Sequence, residues 1–373
     1  FNMWKVNKFI IIILIAVISI GFGLWYFIVV DEGGVLVSRQ GPSEETINFI
    51  KDAKPLPIEK PMPQLVGIVD WLNSKPEELR GKVVLIDFWT YSCINCIRTL
   101  PYMTSWYQKY KDNNFLVIGV HTPEFEFEKK KENVIEAMKR YNIEYPVAMD
   151  NDYKTWDAFN NHFWPAKYLV DVNGNIRYHH FGEGRYQATE RAIQQLLLEA
   201  GLLSLDKITE VQELPENSQY RDVGTSEIYL GYFRINNAGN LDSSVYPNQS
   251  HTFTIPDVIQ DNRFYFGGTW KIEFENALSL SDNSKLVLRY KAAKVFLVAS
   301  SSKGDVVVQV KLDGNVIGEK NKGKDIAFID DKSFVSVGFA RAYNVIDQTP
   351  DNNWHTLELI VPEGARIFTF TFG

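Results

Sequence analysis

The chain has 373 residues, 45% of them hydrophobic and 23% charged, with a formal net charge of −7. This length predicts two domains rather than one, and the composition supplies apolar material for a core in each. The acidic balance excludes a nucleic-acid binder that neutralises phosphates through a basic face.

In chain order, the first element is a run of 22 uncharged residues from Phe9 to Val30. It is long enough to cross a hydrocarbon core of roughly 30 Å as a helix. Lys5 and Lys8 precede it and Asp31 and Glu32 follow, which places the positive flank in the cytoplasm and the rest of the chain outside. The run exceeds the apolar region of a cleavable signal peptide, about 7–15 residues, and lacks an A-x-A-like site. Residues 1–31 are therefore expected to be a cytoplasmic stub and transmembrane anchor. Residues 32–60 follow as a linker, in which "KPLPIEKPMPQ" opens a semi-rigid, polyproline-like stretch.

Residues 61–203 alternate strand and helix signals. "KVVLIDFW" (82–89) and "FLVIGVHT" (115–122) are continuous apolar runs suited to buried parallel strands. Between them a helix is expected to start at the cysteines. "ENVIEAMKRY" places Val134, Met138 and Tyr141 on one helical face. Asn173-Gly174 marks a hairpin, and "ATERAIQQLLLEAG" closes the region as a helix ending at Gly201. The order predicts an α/β domain around a central sheet. After a polar linker (204–225), residues 226–373 carry short alternating runs such as "TWKIEFE", "DVVVQVKL" and "RIFTFTFG", with a hairpin turn at 312–315. They predict an all-β sandwich of the jelly-roll kind.

Cys93 and Cys96 are the only cysteines of the chain. As a disulfide they would close too short a loop to restrict the unfolded chain much. As zinc ligands they lack a second pair. As a redox dithiol they stand where one is expected, after a strand and at the start of a helix. There the helix N-terminus stabilises the thiolate of the first cysteine, and the second, nearly one turn on, is placed to attack a mixed disulfide. No cofactor is expected.

The segment "LIDFWTYSCINCIRTLP" resembles the active site of thioredoxins, with an acidic residue, an aromatic pair, C-x-x-C and a helix proline at Pro101. The resemblance extends over about residues 60–203. It implies that Asp87 relays a proton for Cys96, that Pro165 is a cis-proline facing the dithiol, and that Trp164, Pro165 and Trp89 line the substrate groove. More narrowly, "WTYSCINC", "GVHTPEFEFE" and the β-rich tail look like the soluble part of DipZ-type proteins, in which a TlpA-class thioredoxin-like domain precedes a jelly roll similar to carbohydrate-binding modules. In that family an acidic residue lies near the dithiol, which makes Glu124 the candidate auxiliary acid or base.

The combined expectation is a thioredoxin fold followed by a jelly-roll sandwich behind a single transmembrane helix. The chain would act outside the cell membrane as a TlpA-like reductase of exported protein disulfides. Its partners would be protein thiols and disulfides, a separate CcdA/DsbD-like membrane electron donor, and a carbohydrate or protein ligand of the C-terminal domain. The rival reading is an extracytoplasmic binding or copper-handling protein whose jelly roll does the work, with His162 the best available extra ligand. Peroxidase chemistry fits less well, because Ile86 stands where the peroxiredoxin signature needs proline. His121 reads equally as packing or site, and Trp270 and Trp354 as core or as a sugar-stacking platform.

Overall fold

The computed structural model describes residues 53–208 and 224–373, with the backbone of residues 28–30 and 36–38. Residues 9–27 of the expected anchor lie outside the described residues. Its last three, Ile28–Val30 (β1), pair antiparallel with Leu36–Ser38 (β2). Among the described residues no helix is long and apolar enough to cross a membrane.

The first domain is built on β5 (Val83–Trp89), in which every residue is buried. A strand with no solvent face must lie inside a sheet covered on both sides, and this one does. β6 (Phe115–His121) runs parallel to it, and β8 (Ala166–Val170) runs antiparallel on its other edge. The remaining strands are β3 (Lys60–Pro61), β4 (Asp70–Leu72), β7 (Val147–Met149) and β9 (Asn175–Phe181). The sheet order is β3-β9-β8-β5-β6-β7-β4. Gly174, at φ +89°, closes the β8–β9 hairpin in a conformation that favours glycine.

The two-residue period of β5 divides the core. Val83, Leu85 and Trp89 face the cluster formed with α1 (Ile94–Tyr110), α2 (Lys131–Arg140) and α4 (Tyr186–Glu199). Val84, Ile86 and Phe88 face the other layer, where α3 (Lys154–Phe159) contributes Trp156 and Phe159. Phe88 meets both rings edge-on, at 5.7 and 5.2 Å.

Residues 224–373 form an all-β domain. Its strands are β10 (Ile228–Tyr229), β11 (Ser250–Phe253), β12 (Arg263–Ile272), β13 (Ala277–Ser279), β14 (Ser284–Tyr290), β15 (Lys294–Ser301) and β16 (Val306–Leu312). They continue with β17 (Asn315–Val316), β18 (Ile326–Ile329), β19 (Lys332–Val337), β20 (Arg341–Asp347), β21 (His355–Val361) and β22 (Ala365–Phe372). One sheet runs β18-β19-β16-β21-β14-β12-β13-β22-β15-β20 and folds over on itself, nearly into a barrel. The fold-over passes along β12: residues 263–267 pair with β14, and residues 270–272 with β13. Gly268 lies at that corner with φ +77°, and an added Cβ would come within 3.1 Å of the Ser284 backbone. The enclosed core includes Phe264, Phe266, Trp270 and Phe370.

The two domains share a small apolar core. Ile94 at the start of α1 and Phe125 after β6 pack with Phe296, Val298, Ala342 and Phe368 of β15, β20 and β22. Phe127 meets Phe368 edge-on at 4.7 Å. The β-rich domain therefore sits against the end of the first sheet where the cysteines lie.

Candidate functional site

β5 delivers the chain to the turn Thr90–Ser92, and Cys93 caps α1. Its extended backbone (φ −72°, ψ 113°) leaves Sγ accepting a hydrogen bond from Cys96 N–H at 3.2 Å. Sulfur here occupies the place of a capping oxygen, aimed at donors that the first helical turn leaves unpaired. Cys93 is half-buried and Cys96 fully buried, and their sulfurs are 2.6 Å apart. Burial pushes the Cys96 thiol well above its usual range, and its hydrogen bond to Cys93 and the charges of Cys93 and Asp87 push the same way. Of the two cysteines, Cys93 is the one open to solvent.

Asp87 lies on the same face of β5 as Leu85 and Trp89, beneath α1. The β5–β8 register places Lys167 directly opposite it. Both side chains are fully buried, and Lys167 Nζ is 3.8 Å from Asp87 Oδ1, an ion pair too long for a hydrogen bond. Burial pushes the Asp87 carboxyl up to about 6, against the pull of the Lys167 charge. Trp89 Nε1 and Tyr145 OH, also buried, have no hydrogen-bond partner among the described residues either.

Ala166 pairs with Phe88, so Pro165 stands level with Trp89, where the strand gives way to the cysteine turn. The Trp164–Pro165 peptide is cis. Trp164 is half-buried, leans on Trp156 at 4.2 Å and donates from Nε1 to the Thr122 carbonyl at 3.1 Å. On the outer side of α1, Arg98 binds Glu183 through two nitrogens, at 2.7 and 2.8 Å, and also holds the Asn95 side chain between the cysteines.

Residues 225–373 match the family model described as a thioredoxin like C-terminal domain, and residues 70–179 match the AhpC/TSA family. The thiol-disulfide oxidoreductase YkuV of Bacillus subtilis is 32% identical over 145 residues, which cover 97% of that protein and 38% of this chain. The chain belongs to the thioredoxin-like thiol–disulfide oxidoreductases. Within them it is of the TlpA/DipZ type: protein DipZ of Mycobacterium tuberculosis is 40% identical over 320 residues, 83% of this chain. The chain spans 42% of that curated relative's length. A solution structure of a thioredoxin-like protein in the oxidized form is 33% identical, covering 38% of this chain and 96% of that one, with a TM-score of 0.36.

Two of the side chains expected at the site of this oxidoreductase lie elsewhere. Trp89 is fully buried beneath α1, with the His121 ring edge-on at 5.1 Å, and offers no surface to a groove. Glu124 turns away from the dithiol to the second domain, where it accepts from Tyr229 OH at 2.7 Å and from Arg234 at 2.8 Å. His121 is buried against Trp89 and Tyr91, and burial lowers it to about 3, so it packs as a neutral ring. His162 is exposed. Trp270 is fully buried in the β-rich core and donates to the Gly267 carbonyl, which removes it as a sugar platform.

Three residues escaped sequence reasoning. Lys167 sits in "AKYLVDV", and only the strand register reveals its partner. Glu128, in a run of charges, is fully buried and bonded to Ser92. Ile94, between the cysteines, is covered by the second domain. The alternation of "EFEFE" would set Glu128 opposite Phe125, but residues 126–129 form a 3-10 turn, which returns Glu128 to the side of the buried Phe125.

Proposed function

We propose that this chain is a membrane-anchored, extracytoplasmic thiol–disulfide oxidoreductase that reduces disulfides of exported proteins through Cys93 and Cys96. The observation that carries the reading is the asymmetry of the pair: Cys93 is half-buried at a helix N-terminus and Cys96 is fully buried behind it. The Cys93 thiolate attacks one sulfur of a substrate disulfide. A Cys93–substrate disulfide forms, and the first substrate sulfur leaves as a thiolate that takes a proton from water. Cys96 then gives its proton to the Asp87 carboxylate and attacks Cys93 Sγ. The second substrate sulfur leaves, and the Cys93–Cys96 disulfide holds the oxidation; two electrons have passed to the substrate.

Asp87 suits this task because its carboxyl, at about 6, is ionised at neutral pH yet basic enough to take a proton. Lys167 keeps that charge tolerable in the interior. Pro165 and Trp164 shape one side of the groove. Electrons return from a CcdA/DsbD-like membrane donor, and the run from Phe9 to Val30 with its flanking charges supports the anchoring and orientation. The folded-over sheet of residues 226–373 reads as a jelly roll of the carbohydrate-binding-module kind, whose ligand is a carbohydrate or a protein.

The reduced chain is expected to reduce a disulfide-bonded test protein such as insulin, followed by precipitation of its freed chains. Cys93→Ser should fall to the uncatalysed background. Activity in Cys93→Ser equal to the native chain would remove Cys93 from the mechanism.

A further inference from the structure

Between β6 and α2 the chain turns back toward the cysteines, and the mechanism above leaves its most buried charge unused. Glu128 is fully buried, and its carboxylate accepts four hydrogen bonds. Oε1 takes the Ser92 backbone N–H at 3.1 Å and the Ser92 hydroxyl at 2.7 Å. Oε2 takes the N–H groups of Glu124 at 2.6 Å and Phe125 at 3.0 Å. Ser92 immediately precedes Cys93, and Glu124 and Phe125 carry the contacts to the second domain. One side chain thus ties the turn that presents the nucleophile to the loop on which the β-rich domain rests.

The chemistry of the four partners restricts what can stand here. Three are backbone N–H groups, which only donate, so both oxygens must accept. An amide would turn its NH2 group toward donors. A protonated carboxyl fits only if the Ser92 hydroxyl reverses and accepts, which weakens the grip on the turn.

We propose that Glu128 is a positioning residue of the dithiol, whose carboxylate fixes the Thr90–Ser92 turn and whose charge is felt at Cys93. The inference rests on the reading of Cys93 and Cys96 as the redox pair. Burial pushes the Glu128 carboxyl up to about 7, with the Glu124 charge adding and the hydrogen bonds from Ser92 and Phe125 opposing. Other groups facing it are phenols: Tyr91 on the cysteine turn and Tyr153 ahead of α3, both pushed up by burial and neutral in this range. Arg234 and Glu227 of the second domain meet Glu124 and Tyr229 rather than Glu128. Glu128 therefore changes charge close to neutral pH, and the grip on the turn loosens as pH falls through that value.

The test is the alkylation rate of Cys93 by iodoacetamide in the reduced full chain, read on its peptide by mass spectrometry from pH 5 to 9. Beyond the ionisation of the thiol itself, the profile should carry an inflection near neutral pH that vanishes in Glu128→Gln. Asp87→Asn should keep it, losing only the separate influence of its own carboxyl at about 6. Ser92→Ala, which removes a bond to the ionised carboxylate, should move the inflection to higher pH, and it decides the matter should Glu128→Gln fail to fold. An inflection that survives Glu128→Gln, or that Ser92→Ala leaves in place, overturns the proposal while the native chain still cycles between dithiol and disulfide. A native chain that does not cycle at all overturns the redox reading first, and this inference with it.

Discussion

Cys96→Ser is expected to accumulate disulfide-linked complexes with its substrates, visible as bands that disappear on reduction, whereas Cys93→Ser should accumulate none. The asymmetry comes from placement. Cys93 Sγ is half-exposed and sits at the helix N-terminus, so it still attacks in the Cys96→Ser protein. Release needs the sulfur of Cys96, held beside Cys93 by its position one turn along α1. Attack within such a fixed geometry reaches effective molarities of about 10⁵ M, which millimolar external thiols cannot replace. Loss of turnover in Cys96→Ser should therefore be essentially complete even though the first step survives. Equal trapping by both variants would mean that either sulfur can attack, against the full burial of Cys96.

Lys167→Met is expected to cost about 3–5 kcal/mol of stability at pH 7, the usual price of leaving one partner of a buried ion pair alone. Denaturant unfolding measures it. The pH dependence separates charge from packing. The folded Asp87 carboxyl titrates at about 6, above its ordinary 3.8, so the native state holds this proton to higher pH than the unfolded chain does. Stability from this site is full below the ordinary value and is lost as pH rises through the folded one. Lys167 limits that loss by favouring the ionised form. Without it the carboxyl moves higher still and the loss extends into the neutral range. The deficit of Lys167→Met should thus be largest at pH 7 and shrink toward pH 4. A deficit unchanged with pH would assign Lys167 to packing alone.

Local signals account for much of this fold. An apolar run broken only by Asp87 became the central strand β5, a C-x-x-C after it became the start of α1, and Asn173-Gly174 became a hairpin. Each of those features is decided within a few residues. The residues that were missed depend on pairing between distant segments. Nothing in "AKYLVDV" announces that Lys167 will face Asp87, because that follows from the antiparallel register of β5 and β8. Glu128 reads as one more solvated acid until the Ser92 turn closes over it. Ile94 looks free to meet a substrate until β15, β20 and β22 cover it. Trp89 shows the opposite failure: its position beside the cysteines suggests a groove, yet the two-residue period shared with Val83 and Leu85 assigns it to the core. The short strands β4 and β7 at one edge of the sheet carry too few residues to declare a period.

Cys93 and Cys96 are expected to form one reversible redox couple, which a redox titration of the purified chain measures. Free thiols are counted after equilibration in buffers of graded dithiol–disulfide ratio. A single two-electron transition is expected, changing tenfold in ratio for each ~30 mV, with a midpoint nearer the roughly −270 mV of reducing thioredoxins than about −120 mV, and lost in Cys93→Ser. Thiols that never oxidise as a pair, or a pair that instead retains stoichiometric copper through purification, would contradict it.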